Sequence, residues 1–150
     1  MRSKLLIVSA LSIGSVYGCS CKEPTVQQAK SGAEVVFRGT IIAMRDADPN
    51  AKVPTYGAKD TKKIEVFRVE RVWQGQVGQV FEMRALEETS MCIGFIPSHL
   101  RIGNDLLVYA SRVSNGPDYY TNTCTRTALA KNTKDFDELG PGKEPSPNSN

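Results

Sequence analysis

The chain has 150 residues, 40 % of them hydrophobic and 23 % charged, with a formal net charge of +3. Its size fits one domain with a single modest core. Nineteen basic residues against sixteen acidic ones leave no excess for the basic face or stripe of a nucleic-acid binder, so no nucleic-acid partner is expected.

The N-terminus carries Arg2 and Lys4, then an apolar run from Leu5 to Val16, then Gly18 just before Cys19. A basic start, a short apolar run and a small residue at the cut describe a secretory signal peptide over residues 1–18. The run is shorter than the roughly 20 residues that span a bilayer, so no membrane span is expected. Removing it lowers the net charge from +3 to about +1, because it holds Arg2 and Lys4 and no acid. The mature protein then begins Cys19-Ser20-Cys21 and is secreted, extracellular or periplasmic. Val16-Tyr17-Gly18-Cys19 also resembles a bacterial lipobox, which would make the chain a lipid-anchored envelope protein acylated at Cys19.

The four cysteines are Cys19, Cys21, Cys92 and Cys124. An even number in an exported chain makes two disulfides the default. A Cys19–Cys21 bridge would close a very small ring, against the usual Cα separation of about 5.5 to 6 Å. Each early cysteine is therefore expected to pair with a late one, and two connectivities remain open. A closed zinc site would need all four thiolates, since His99 is the only histidine.

After the cysteine tripeptide, Pro24 biases Glu23 towards an extended backbone. Thr25 to Ser31 reads as a short helix with Thr25 as N-cap, Gly32 at C′, and Val26 and Ala29 on one face. Ala33 to Ala43 is the first strand, and Gly39 within it signals a bulge or bend. Arg45 to Asp60 is a long polar loop. Lys62 to Trp73 alternates as a strand, with Ile64, Val66 and Arg68 on one face and Lys63, Glu65, Phe67 and Val69 on the other. Gln79 to Leu86 is the third strand. Gly94, Pro97, Ser98 and Gly103 then mark a loop after Cys92.

Asp105 to Ser111 is a continuous apolar strand of the kind buried on both faces. Asn115-Gly116-Pro117 is a turn, and Asp118 to Thr123 is a fifth strand that delivers Cys124. Lys134 to Leu139 forms a last helical turn or two before Gly140, and the Pro-rich residues 141–150 should be disordered. The expected fold is mainly β: a five-stranded OB-like barrel with short flanking helices, because closure removes exposed edges in a chain this small.

No enzyme motif is present. There is no phosphate-binding G-x-x-x-x-G-K-[ST], no G-x-G-x-x-G after a strand and no H-E-x-x-H. His99 lies in a loop without a local partner motif and reads as a surface or satisfied residue. Glu87-Glu88 and Asp135-x-Asp137-Glu138 read as solvated acidic faces. Catalysis and a bound cofactor are not expected.

Six stretches together carry a resemblance: Cys19-Ser20-Cys21, Ala33 to Gly39, Val72-Trp73-Gln74-Gly75, Ser90 to Gly94, Leu106 to Ala110, and Thr123-Cys124. They resemble the netrin-like (NTR) module, and within it the N-terminal domain of the tissue inhibitors of metalloproteinases (TIMPs), over roughly residues 19–140. The resemblance implies an OB-like barrel with the pairings Cys19–Cys92 and Cys21–Cys124. It also implies a partner, a zinc metalloprotease, whose catalytic zinc would be chelated by the α-amine and carbonyl oxygen of Cys19. Ser20 would enter the protease's specificity pocket, and Ser90 and Met91 would form a second contact segment beside Cys21. The zinc would be the target's, and the inhibitor a monomer. The chain departs from the pattern in lacking a third disulfide and a second cysteine-rich domain. It carries Ser20 for the usual threonine, and Glu23 where an apolar residue is common. A non-inhibitory NTR protein-binding module, with the tripeptide serving only as a staple, is the alternative.

Overall fold

The computed structural model describes residues 21–50, 59–88, 92–112 and 118–147. Its elements in chain order are helix α1 (Val26–Gly32) and strands β1 (Val35–Asp46), β2 (Lys59–Gln74), β3 (Val80–Glu87), β4 (Asp105–Arg112), β5 (Tyr119–Tyr120) and β6 (Ala128–Leu129). Helix α2 (Asp135–Leu139) follows, and 3-10 turns occupy Pro97–His99 and Ala130–Asn132.

Helix α1 begins as the sequence suggests. The Thr25 hydroxyl accepts the Gln28 amide while the Gln28 side chain accepts the Thr25 amide, a reciprocal capping box. Its end differs. Gly32 lies inside the helix, and the Ala33 amide closes it on the Lys30 carbonyl with extended backbone at Ala33, so no left-handed C′ glycine is used.

The strands run in the order β3-β2-β1-β4-β5, with β6 also on β4. All pairings between named strands are antiparallel. β1 and β2 are both long, at 12 and 16 residues, and their register shifts three times, once between Arg38 and Gly39. A Cβ at Gly39 would come within 2.9 Å of the Arg68 carbonyl oxygen, so the glycine permits the close approach that bends the sheet.

The sheet curls into a nearly closed five-strand barrel. Phe81 of β3 and Tyr119 of β5 touch with ring centroids 4.9 Å apart. The segment just after Cys92 fills the remaining seam. Phe95 donates its amide to Leu86 and accepts from Glu88, while the Gly94 amide bonds to the Thr121 carbonyl. Two further bridges, Glu87 with Phe95 and Ile93 with Asn122, tie the same seam. What the sequence presents as plain loop is thus the closing stave of the barrel.

Two apolar clusters explain the continuous hydrophobic run of β4. Leu106, Val108 and Ala110 point into the barrel with Val35, Phe37, Phe67, Val69, Met83 and Phe95. Leu107 and Tyr109 point outward, where Val26 and Ala29 of α1 and Leu139 of α2 cover them, together with Val36. One strand therefore serves two cores, and neither face can be polar. Among the described residues no helix is long and apolar enough to cross a membrane.

The expected disorder of residues 141–150 does not hold for its first part. The Lys143 amide and carbonyl both bond to Val72, and Ser146 bonds to Val77 and Gln79. Gly142, at φ 66°, brings the chain against the Trp73 ring, where a Cβ would sit 3.0 Å from the indole. Composition suggests disorder here, but free backbone groups on β2 recruit the segment as a short strap.

Candidate functional site

The three described cysteines meet at the barrel seam. Cys21 and Cys124 form a disulfide between residues 103 apart in sequence, with Cα atoms 5.7 Å apart, inside the ordinary range. The Cys92 sulfur lies close by, so that the sulfurs of Cys21, Cys92 and Cys124 are all within 4.8 Å of one another. None of the three is a free thiol. A disulfide sulfur offers no thiolate to a metal, so the bridged pair does not suit a closed zinc site. The expected Cys19–Cys92 bridge and the residues Cys19, Ser20, Ser90 and Met91 lie outside the described residues. So do the Asn115-Gly116-Pro117 turn and residues 51–58 of the expected Arg45 to Asp60 loop, whose ends belong instead to strands: Arg45 and Asp46 to β1, Lys59 and Asp60 to β2.

Local backbone geometry brings the cysteines together. Cys92 takes a left-handed conformation, φ 60°, uncommon for a residue with a side chain. This turns the chain so that the Cys92 carbonyl accepts the Thr123 amide at 3.0 Å and its hydroxyl at 3.3 Å. Gly94, at φ 103°, follows, and a Cβ there would lie 2.5 Å from the Leu86 carbonyl oxygen. On the other strand the Asn122 side chain accepts the Cys124 amide at 2.8 Å, an Asx turn that presents the cysteine. Behind it, the hydroxyls of Thr121, Thr125 and Thr127 gather around the Tyr109 carbonyl at 2.9, 3.4 and 3.2 Å.

A charged network beside the disulfide holds the chain that leaves Cys21. Arg126, also left-handed at φ 73°, donates from Nη1 to Glu23 at 2.7 Å and to the Pro24 carbonyl at 3.0 Å. Its Nε and Nη2 donate to Asp135 at 2.8 and 2.5 Å. Asp135 is only 2 % exposed and accepts the Tyr109 hydroxyl as well. Burial alone would raise the Asp135 carboxyl, but the hydrogen bonds from Arg126 and Tyr109 outweigh it and hold the group below its usual value. Burial and the adjoining carboxylate push the Tyr109 phenol well up, so it stays a donor.

This network corrects the reading of Asp135 as part of a solvated acidic face. The sequence spacing hid it: Asp137 and Glu138 are exposed, while Asp135, on the first turn of α2, points inward. Arg126 carried no signal beyond its place two residues after Cys124. His99 is corrected too. It is buried, not at the surface, and its Nδ1 has no hydrogen-bond partner among the described residues; burial lowers its pKa. Glu65, expected on one face of β2 with Lys63, Phe67 and Val69, is fully buried like Phe67 and Val69 while Lys63 is exposed, and both its carboxylate oxygens are without a hydrogen-bond partner among the described residues. Burial pushes its pKa up to about 8. Comparison with known protein families and with curated proteins finds no match to this chain.

Proposed function

We propose that the protein is a secreted inhibitor of zinc metalloproteases, a TIMP-like NTR domain on an OB-like barrel. In this reading the α-amine and carbonyl oxygen of mature Cys19 chelate the target's catalytic zinc. The observation that carries the reading is the convergence of the Cys21, Cys92 and Cys124 sulfurs within 4.8 Å at the seam. Cys19 is two residues from Cys21, a reach of at most about 7 Å, which supports a second bridge at the same seam. The Cys19–Cys92 bridge belongs to the proposal.

The chemistry follows from general principles. Catalytic zinc sites keep an open coordination position for water or substrate. An α-amine, with an ordinary pKa of about 8, gives up its proton to a metal readily. Pinning the segment by disulfides lowers the ordering cost of binding. Ser20 then enters the specificity pocket, and Ser90 and Met91, immediately before Cys92, extend the contact surface with Cys21. The protein contributes backbone ligands and no catalytic group of its own.

The test compares mature protein beginning at unmodified Cys19 with a form carrying one extra alanine before it, against a panel of zinc metalloproteases. Inhibition by the first and loss of it in the second supports chelation through the free amine. Absence of inhibition by both forms across the panel favours the non-inhibitory binding module instead. Intact mass of the mature protein separates either outcome from acylation at Cys19.

A further inference from the structure

We propose that Arg126 is a positioning residue for the N-terminal segment, fixing the course of the chain from Cys21 to Pro24 beside the disulfide. The inference rests on the inhibitory reading of that N-terminus. A disulfide ties the chain at one point, and one tether leaves the segment free to swing about it. A second tether, a few residues along, sets an axis. Arg126 supplies it by gripping Glu23 and the Pro24 carbonyl with one nitrogen of its guanidinium.

The grip has a rigid base. The remaining nitrogens of the fork engage Asp135, whose side chain is 2 % exposed, and Asp135 is held in turn by Tyr109 from β4. Arg126 and Cys124 share one short loop, so the disulfide and the guanidinium move as one body relative to the N-terminal segment. Pro24 restricts its own φ and the backbone of Glu23, which carries the fixed direction towards Cys21. Only a planar fork with five donors satisfies two carboxylates and a carbonyl at once; a lysine ammonium cannot span them. Glu23 therefore has a use here: the carboxylate that departs from the apolar residue common in the inhibitors is the handle that Arg126 holds.

Two variants test this in the mature, disulfide-intact protein. Glu23→Gln weakens the grip at an exposed side chain, 75 % accessible, and leaves the Arg126–Asp135 pair untouched. Arg126→Lys keeps the charge but loses the fork. The direct readout is the backbone amide order parameter of Cys21, Lys22 and Glu23, measured by NMR relaxation. The expected result is a fall from rigid values near 0.85 towards about 0.6 in Arg126→Lys, with a smaller fall in Glu23→Gln. Inhibition should weaken by about 2- to 5-fold in Glu23→Gln, the range of an exposed ion pair, with unchanged chemical shifts in the barrel core. Unchanged order parameters at these residues in both variants overturn the proposal. A fall in order with no inhibition by the parent protein upholds the positioning role and sinks the inhibitor reading alone.

Discussion

Tyr109 donates its phenolic hydrogen to Asp135 at 2.8 Å, in a buried contact between strand β4 and the last helix α2. The bond joins the outward cluster of the barrel to the network that holds the N-terminal segment.

Tyr109→Phe removes one donor from an ionised acceptor and leaves its shape. Because Arg126 still satisfies the carboxylate, the cost should stay near 1–3 kcal/mol. Urea unfolding with an unchanged m-value and a lower midpoint is the expected result. A variant as stable as the parent would show that Arg126 alone satisfies Asp135.

Glu65 gives the protein a distinctive pH response. Its folded pKa of about 8 exceeds the ordinary value of 4.5, so the folded state keeps a proton that the unfolded chain releases. Its contribution is complete below pH 4.5 and is lost as pH rises towards 8. His99, lowered by burial, acts oppositely: the unfolded imidazole gains a proton below about 6.5, so its contribution is lost as pH falls. The two slopes oppose each other between pH 4.5 and 6.5, and only that of Glu65 remains above. Stability should fall by about 2 kcal/mol between pH 6.5 and 8. Glu65→Met should flatten that decline in chemical-denaturation curves; an equal decline in the variant would place its cause elsewhere.

Gly94→Ala should be costly. The residue sits at φ 103° with a Cβ directed to 2.5 Å from the Leu86 carbonyl oxygen, in the stave that closes the barrel. Strain of this kind costs about 1–3 kcal/mol, and here it also displaces Cys92 two residues earlier. A lowered melting midpoint with faster amide exchange at Phe95 is expected; exchange unchanged there would mean the seam absorbs the methyl.

Replacing Cys21 and Cys124 together by alanine opens a loop of 103 residues. The chain-entropy model puts the loss at about 4.7 kcal/mol. Equilibrium unfolding of the pair variant against the parent measures it, and an effect below about 1 kcal/mol would mean the unfolded chain was scarcely constrained by the bridge.

Much of the barrel was legible because its signals are local. The run Leu106 to Ala110, the cap at Thr25 and the bulge at Gly39 each follow from a few neighbouring residues. The closing stave was not legible. Ile93 and Phe95 pair with strands on either side only because Cys92 and Gly94 adopt left-handed backbone, and nothing local to Cys92 announces that. The strap at Lys143 and Ser146 was hidden by a Pro- and Ser-rich composition that satisfies free edges as well as it solvates. At the site, the cysteines were named from spacing, whereas Arg126, Tyr109 and Asp135 gain their meaning from elements that meet only in three dimensions.

The length of the loop closed by Cys21 and Cys124 also bears on how the chain acquires its bridges. As the polypeptide emerges from its N-terminus, Cys92 becomes accessible 32 residues before Cys124. In the finished fold its sulfur lies within 4.8 Å of that of Cys21. A mispaired Cys21–Cys92 species therefore has both a head start and a short distance in its favour. Converting such a pairing into the Cys21–Cys124 bridge would take thiol–disulfide exchange, the reaction that an isomerase catalyses.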